Sequence, residues 1–345
     1  MVTLLSEPEI RRSVGFDGAA LAAVEHGFTR LAEGRAFAPP VIAIEIPEHS
    51  GEVDIKTAYI EGLDSFAVKV ASGFLDNPAK GLPYGSGMMV LISAETGFLQ
   101  ALLVDNGYLT ELRTGLAGAI AADRLARRGI DAAGVIGSGS QARYQLRGLR
   151  MVRDFRRVNV YGIVPEEVAR YVDDMEAELG VEVLVATSPE SVVRESDVVV
   201  CATPAREPYL DGRWLHPGLH VTCMGADMPT KRELLPGCLA RADRVVCDRF
   251  AQCREIGELH HALAARDVDE AGVDELGEIT AGLKPGRRYD DEITVCDLTG
   301  VGVQDTAIAR LAFRRALEQG LGTAFGDEPG AAGPATAPET TDTKE

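Results

Sequence analysis

At 345 residues, with 46% hydrophobic and 26% charged residues, the chain has the composition of a globular protein and the length for two domains. A formal net charge of −18 leaves no basic surface for phosphate backbones and excludes nucleic acid as a partner. No apolar run reaches the ~20 residues that span a bilayer, and Met1–Ile10 carries Glu7, Pro8 and Glu9 where a signal peptide needs a basic start and an apolar core, so no membrane partner and a cytoplasmic location are expected.

Residues 17–33 place apolar side chains at helical spacing and Pro39-Pro40 closes the segment, which predicts an opening helix. From Val41 to Val104 short runs such as VIAIEI, DIKTAYI, FAVKVAS, GMMVLIS and FLQALLV, broken by Gly, Pro and Asn-Pro, predict an antiparallel meander. Within it Lys69 stands alone among apolar neighbours. A lysine at an inward strand position must either snorkel or meet an anion, and we favour the anion. Residues 110–128 are Ala-rich and predict a long helix with Thr110 as its N-cap. Arg113 near the helix start, beside free amides, is placed to clamp a carboxylate.

After Gly129 strand and helix alternate: AGVIGSG, RVNVYG, VEVLVA and DVVVCATP are strands, with helical segments between them, and LHVTCMGAD and DRVVCD supply two more. Continuous apolar strands of this kind predict a six-stranded, doubly wound parallel sheet, with a ligand crevice at the carboxyl ends of the strands. The turn after the first strand reads Gly137-Ser138-Gly139-Ser140-Gln141-Ala142. Gly137 allows the tight turn, Gly139 lets the backbone approach a pyrophosphate, and Ala142 permits close helix packing, so a dinucleotide is expected at the helix N-terminus. The end of the second strand, where an acid would read a ribose 2′-OH or an Arg a 2′-phosphate, is instead Tyr161-Gly162-Ile163-Val164, with Glu166 and Glu167 later. NAD and NADP both stay open.

Asp227 follows an apolar strand where the crevice opens. It can hold an ammonium or iminium nitrogen and exchange its proton, or it can cap a following turn. The six cysteines all lie in the second half without a C-x-x-C pair, and the adjacent His260 and His261 point apart on a helix, so structural roles and no metal are expected.

Six segments, VKV (68–70), ELRTGLAGAIAADRLA (111–126), VIGSGSQARYQL (135–146), DVVVCATPA (197–205), GADMPTKREL (225–234) and DLTGVGVQD (297–305), resemble the ornithine cyclodeaminase and mu-crystallin family. Residues 46–78, 102–114 and 286–309 are similar to the branch found with ectoine and hydroxyectoine breakdown genes. The resemblance implies Lys69 and Arg113 as substrate-carboxylate residues, Asp227 as the acid at the reacting nitrogen, and Thr114, Gly139, Ser140, Gln141, Thr203 and Lys231 as cofactor contacts. It implies an α/β protein in which a Rossmann-type sheet (129–301) follows an α+β substrate-binding and dimerisation domain (1–128, completed by 302–325), working as a homodimer. The Pro-, Ala- and acid-rich tail 326–345 should be disordered. VIAIEI lacks the basic residue that many members place there, and with the missing acid after the second strand this argues against a strict ornithine cyclodeaminase.

The expected activity is therefore nicotinamide-dependent reduction of a C=N bond in a small carboxylate-bearing amino or imino acid, toward ectoine in the implied pathway. Redox-neutral cyclodeamination of a diamino acid and non-enzymatic ligand binding of the mu-crystallin kind are the alternatives.

Overall fold

The computed structural model describes residues 1–326, so the tail expected to be disordered lies outside the described residues from Asp327 on. The chain starts with β1 (Val2–Ser6) and α1 (Glu7–Ser13), two short elements that periodicity does not separate, and continues into α2 (Gly18–Ala32). Asp17 caps α2 by accepting the Ala19 and Ala20 amides at 2.9 Å. Next come β2 (Ala36–Phe37), β3 (Ile42–Ile46), β4 (Gly51–Ile60), β5 (Ser65–Phe74), β6 (Gly85–Ser93) and β7 (Leu99–Val104). β4 to β7 make the expected antiparallel meander, while β1 joins β7 in parallel, so this sheet is mixed.

α3 (Tyr108–Leu125) starts before its expected cap. Gly107 is the N-cap in the left-handed region, at φ 88°, and Asp105 Oδ2 accepts the Leu109 amide at 2.6 Å. Thr110 therefore lies inside the first turn, and Arg113 sits a full turn into the helix, away from the free amides invoked for it.

The second half runs β8 (Ala132–Ile136), α4 (Ser140–Val152), β9 (Arg157–Tyr161), α5 (Pro165–Leu179), β10 (Glu182–Val185), α6 (Pro189–Arg194), β11 (Val198–Cys201), β12 (His220–Cys223), β13 (Arg244–Cys247), α7 (Phe250–Cys253), α8 (Gly257–Ala265), β14 (Val273–Glu275), α9 (Leu276–Thr280) and β15 (Thr294–Asp297). All neighbouring strands pair in parallel, in the order β10-β9-β8-β11-β12-β15-β13-β14. The parallel α/β class is as expected, but the described sheet has eight strands rather than six, and β15 separates the two strands expected to close it. The chain then returns to the first sheet through α10 (Gly302–Glu318) and β16 (Thr323–Phe325), which pairs with β1.

α3 joins the two sheets. Leu109, Leu112 and Leu116 share one core cluster with Ala67, Met89, Leu91 and Leu103 of the first sheet and with Val246, Cys296 and Leu298 from the second. α4 crosses α3 closely enough that a Cβ on Gly148 would stand 2.2 Å from the Gly115 carbonyl oxygen, and Gln145 Nε2 donates to Thr114 O at 2.9 Å. This crossing fixes the Gly-rich turn against the Arg113 helix. All six cysteines are buried and free, as expected of small buried hydrophobes. His260 and His261 bond to the carbonyls of Arg254 and Lys231, and among the described residues no acid, His or Cys cluster could hold a metal. No described helix is long and apolar enough to cross a membrane.

Candidate active site

β4 and β5 build the floor. Even-numbered positions of β4 alternate onto one face, so Glu52, Asp54 and Lys56 form a charged stripe there, and the register sets Lys56 directly opposite Lys69. Both lysines are buried. Lys56 Nζ donates to the carbonyls of Thr299 and Gly300 at 3.1 and 3.2 Å, with Asp54 at 4.0 Å. Lys69 Nζ faces Asp305 Oδ2 at 3.6 Å, so the anion it needed is a side chain of α10. Arg113 reaches the same acid, with Nε 3.0 Å from Asp305 Oδ1, and its Nη1 donates to Gln304 Oε1 at 3.3 Å. Lys69 and Arg113 thus come together from different elements around one carboxylate.

The opposite wall is the carboxyl edge of the parallel sheet. Asp227 stands in the loop after β12, half-buried, and caps nothing: its Oδ1 accepts from Lys231 Nζ at 2.7 Å. Lys231 also donates to Glu52 Oε1 at 3.1 Å, which ties this loop to β4. The loop is shaped from behind by the fully buried Glu233, which accepts the Thr203 amide (2.8 Å), the Thr203 hydroxyl (2.7 Å), the Tyr209 hydroxyl (2.7 Å) and the Gly225 amide (3.0 Å). Thr203 and the Asp227 loop are therefore held by one carboxylate.

Burial and the Arg113 charge push the Lys69 ammonium down to about 7, against the pull of Asp305. Burial would raise the Asp227 carboxyl, but Lys231 outweighs it and holds Asp227 below its ordinary range. For Glu52 the balance reverses: burial outweighs Lys231 and lifts its carboxyl. Asp227 is thus an ionised carboxylate at neutral pH, and Lys69 is poised between its two states.

Gly137 sits at φ 109°, and a Cβ there would stand 2.5 Å from the Ala202 carbonyl oxygen. Beyond it Gly139 and Ser140 are exposed at the N-terminus of α4, which no side chain caps, and the space where Gly139 would carry a Cβ is open. Open amides, a glycine edge and a helix dipole fit a pyrophosphate. Gln141 bonds to Glu111 and Gln145, and Thr114 is buried with its carbonyl held by Gln145. At the end of β9 Ile163 is exposed, with neither an acid nor an arginine in the ribose-reading position. Replacing Gly137 with Val should abolish measurable NADH binding by fluorescence titration, because a β-branched residue meets both the positive φ and the Ala202 carbonyl. Retained affinity would refute the cradle.

Sequence reasoning overlooked Glu52, Lys56, Glu233, Gln304 and Asp305. The alternation Glu-x-Asp-x-Lys in GEVDIK carried a signal for a charged inner stripe; nothing local marked Asp305 or Glu233.

A profile of the "Ornithine cyclodeaminase/mu-crystallin family" matches residues 2–320. An uncharacterized cyclodeaminase of Sinorhizobium fredii is 45% identical over 93% of this chain and 98% of its own length. The structure of Thermococcus litoralis Δ1-pyrroline-2-carboxylate reductase, in complex with NADH and L-proline, superposes with a TM-score of 0.89 at 32% identity, covering 94% of this chain and 100% of that one. An archaeal alanine dehydrogenase dimer with bound NAD superposes with a TM-score of 0.86 at 34% identity, covering 93% and 98%.

Proposed function

The chain belongs to the ornithine cyclodeaminase/mu-crystallin family, and from that premise we propose that it reduces the C=N bond of a small carboxylate-bearing imine, with NADH as the hydride donor. The observation that carries this reading is the meeting of two buried cations, Lys69 and Arg113, at Asp305, with Asp227 tied through Lys231 to Glu52 on the neighbouring strand β4. In it residues 1–128 with 302–325 form the substrate-binding and dimerisation half, and residues 129–301 the cofactor half.

The amides of Gly139, Ser140 and Gln141 would hold the pyrophosphate, and Thr114, Thr203 and Lys231 would contact the rest of the dinucleotide. When bound, the nicotinamide supplies the hydride. Lys69 and Arg113 take the substrate carboxylate and fix where the imine carbon lies. Asp227, kept ionised by Lys231, pairs with the protonated imine nitrogen, favours the iminium over the neutral imine and makes its carbon more electrophilic. The same carboxylate exchanges the nitrogen's proton, directly or through water. NAD rather than NADP is supported by the cofactors of the two similar structures. The finer substrate reading, a dehydrated hydroxyectoine-derived imine reduced toward ectoine, rests on the branch-like segments at 46–78, 102–114 and 286–309. A homodimer is supported by the alanine dehydrogenase dimer and by the exposed apolar side chains of Phe37, Ile42, Ile44 and Leu82 on or beside the first sheet.

Absorbance at 340 nm, with NADH or NADPH and cyclic or open-chain imino acids including the hydroxyectoine-derived imine, tests the reading. Stoichiometric loss of reduced cofactor is expected. No loss, together with ammonia release from a diamino acid and catalytic NAD⁺, would instead establish cyclodeamination. The pH dependence has a definite sign: Lys69 must be charged to bind a carboxylate, its ammonium is full below about pH 7 and is lost above it. KM should stay flat below pH 7 and rise above it, approaching about tenfold per pH unit, while a KM independent of pH between 6 and 9 would remove Lys69 from the carboxylate site.

A further inference from the structure

We propose that Asp305 is a positioning residue for the carboxylate site: its carboxylate offsets the charge of Lys69 and Arg113 and seats both side chains without taking a hydrogen bond from either. The inference rests on the reductase reading for its kinetic half only. Asp305 is completely buried, on the first turn of α10, 3.0 Å from Arg113 Nε and 3.6 Å from Lys69 Nζ. Among the described residues neither carboxylate oxygen makes a hydrogen bond, and Arg113 Nε makes none either. The contact is therefore charge against charge without donor alignment, so Asp305 neutralises without consuming the bonding directions a ligand needs.

The surroundings fit a built seat. Gln304, beside Asp305, takes Arg113 Nη1 at 3.3 Å and the Val301 amide at 2.7 Å. Gly300, at φ 83°, lies flat against the guanidinium: a Cβ there would come within 2.5 Å of Arg113 Nη1. Lys56 clamps the carbonyls of Thr299 and Gly300 from below. The groups that face Lys69 are Arg113 from α3, Asp305 from α10, Lys56 and Asp54 from β4, and Asp105 after β7. Of the acids Asp305 lies directly against it, whereas Asp54 pairs with Lys56 and the Asp105 carboxyl is itself lifted by burial to about 6. With Lys69 protonated, its charge and that of Arg113 against the one carboxylate of Asp305 leave one positive charge, which suits a single substrate carboxylate.

The chain has six lysines, few enough to follow individually by NMR of 13C-labelled lysine side chains in the full-length protein, with Lys69 assigned through the signal absent from Lys69→Met. In Asp305→Asn the Lys69 titration midpoint should move to at least tenfold higher proton concentration, and the rise of KM with pH should begin correspondingly lower, with KM at pH 7 up about fivefold or more and the NADH dissociation constant unchanged. Asp305→Glu keeps the charge, so its Lys69 midpoint should stay near that of the native protein while KM still rises. An unmoved midpoint in a folded Asp305→Asn overturns the proposal, as does loss of folding in both variants, which would make Asp305 structural. The titration needs no turnover, so a moved midpoint in a protein that reduces no imine would sustain the proposal's charge half while sinking the reductase reading.

Discussion

Asp227→Asn should lower kcat for imine reduction by about 10²–10³-fold, the range for removing one preorganised electrostatic partner of a transition state, while changing KM and NADH affinity little. Asn fills the same volume and can still accept from Lys231, so the loop keeps its shape through Glu233. What disappears is the negative charge facing the nitrogen. Because Lys231 keeps Asp227 ionised, the loss should be felt most at high pH, where fewer imines are already protonated in solution. Steady-state kinetics of the variant across pH 6–9 provide the check. A kcat within threefold of the native value at every pH would mean that the nitrogen is held elsewhere, with Glu52, which shares Lys231, as the next group to replace.

Arg113→Ala should raise KM by about 30-fold or more, since truncating one member of a buried, hydrogen-bonded charge pair costs roughly 2–5 kcal/mol. Arg113→Lys should recover little, because an ammonium cannot reproduce the planar two-pronged grip of a guanidinium. The same substitution carries a second signature. Arg113 is one of the two main forces lowering the Lys69 ammonium, so its removal lifts that group, and the pH at which KM starts to climb should move upward, opposite in direction to the effect of Asp305→Asn. A merely unfolded or loosened site would not move the two profiles in opposite directions. Unchanged KM and an unchanged profile would dissociate Arg113 from the substrate.

The parallel sheet was readable because its strands are uninterrupted apolar runs, and the glycine turn because it falls between one such run and a helix. The order of the sheet was not. β15 is four residues long after an acid-rich stretch, and its insertion between β12 and β13 is a long-range pairing choice that no local pattern records. The cap of α3 was misjudged because Thr110 looks like a cap, whereas Gly107 reaches a conformation only glycine adopts cheaply and Asp105 supplies the acceptor. For Lys69 the need for an anion was legible from burial alone. Its identity was not, since Asp305 sits at the far end of the chain and only the packing of α10 against β5 brings it there.

That return of α10 also orders events during synthesis. A ribosome making about 5–20 residues per second releases β1 to β7 early, yet β16, the cover that α10 lays on β4 and β5, and the Asp305 partner of Lys69 are missing until α10 and the strand after it have emerged. Closing this long loop is an entropic step with no partial credit from local contacts. The parallel sheet waits as well, because β15, its strand between β12 and β13, ends at Asp297 just before α10 begins at Gly302, so both sheets are completed together by the stretch from β15 to β16.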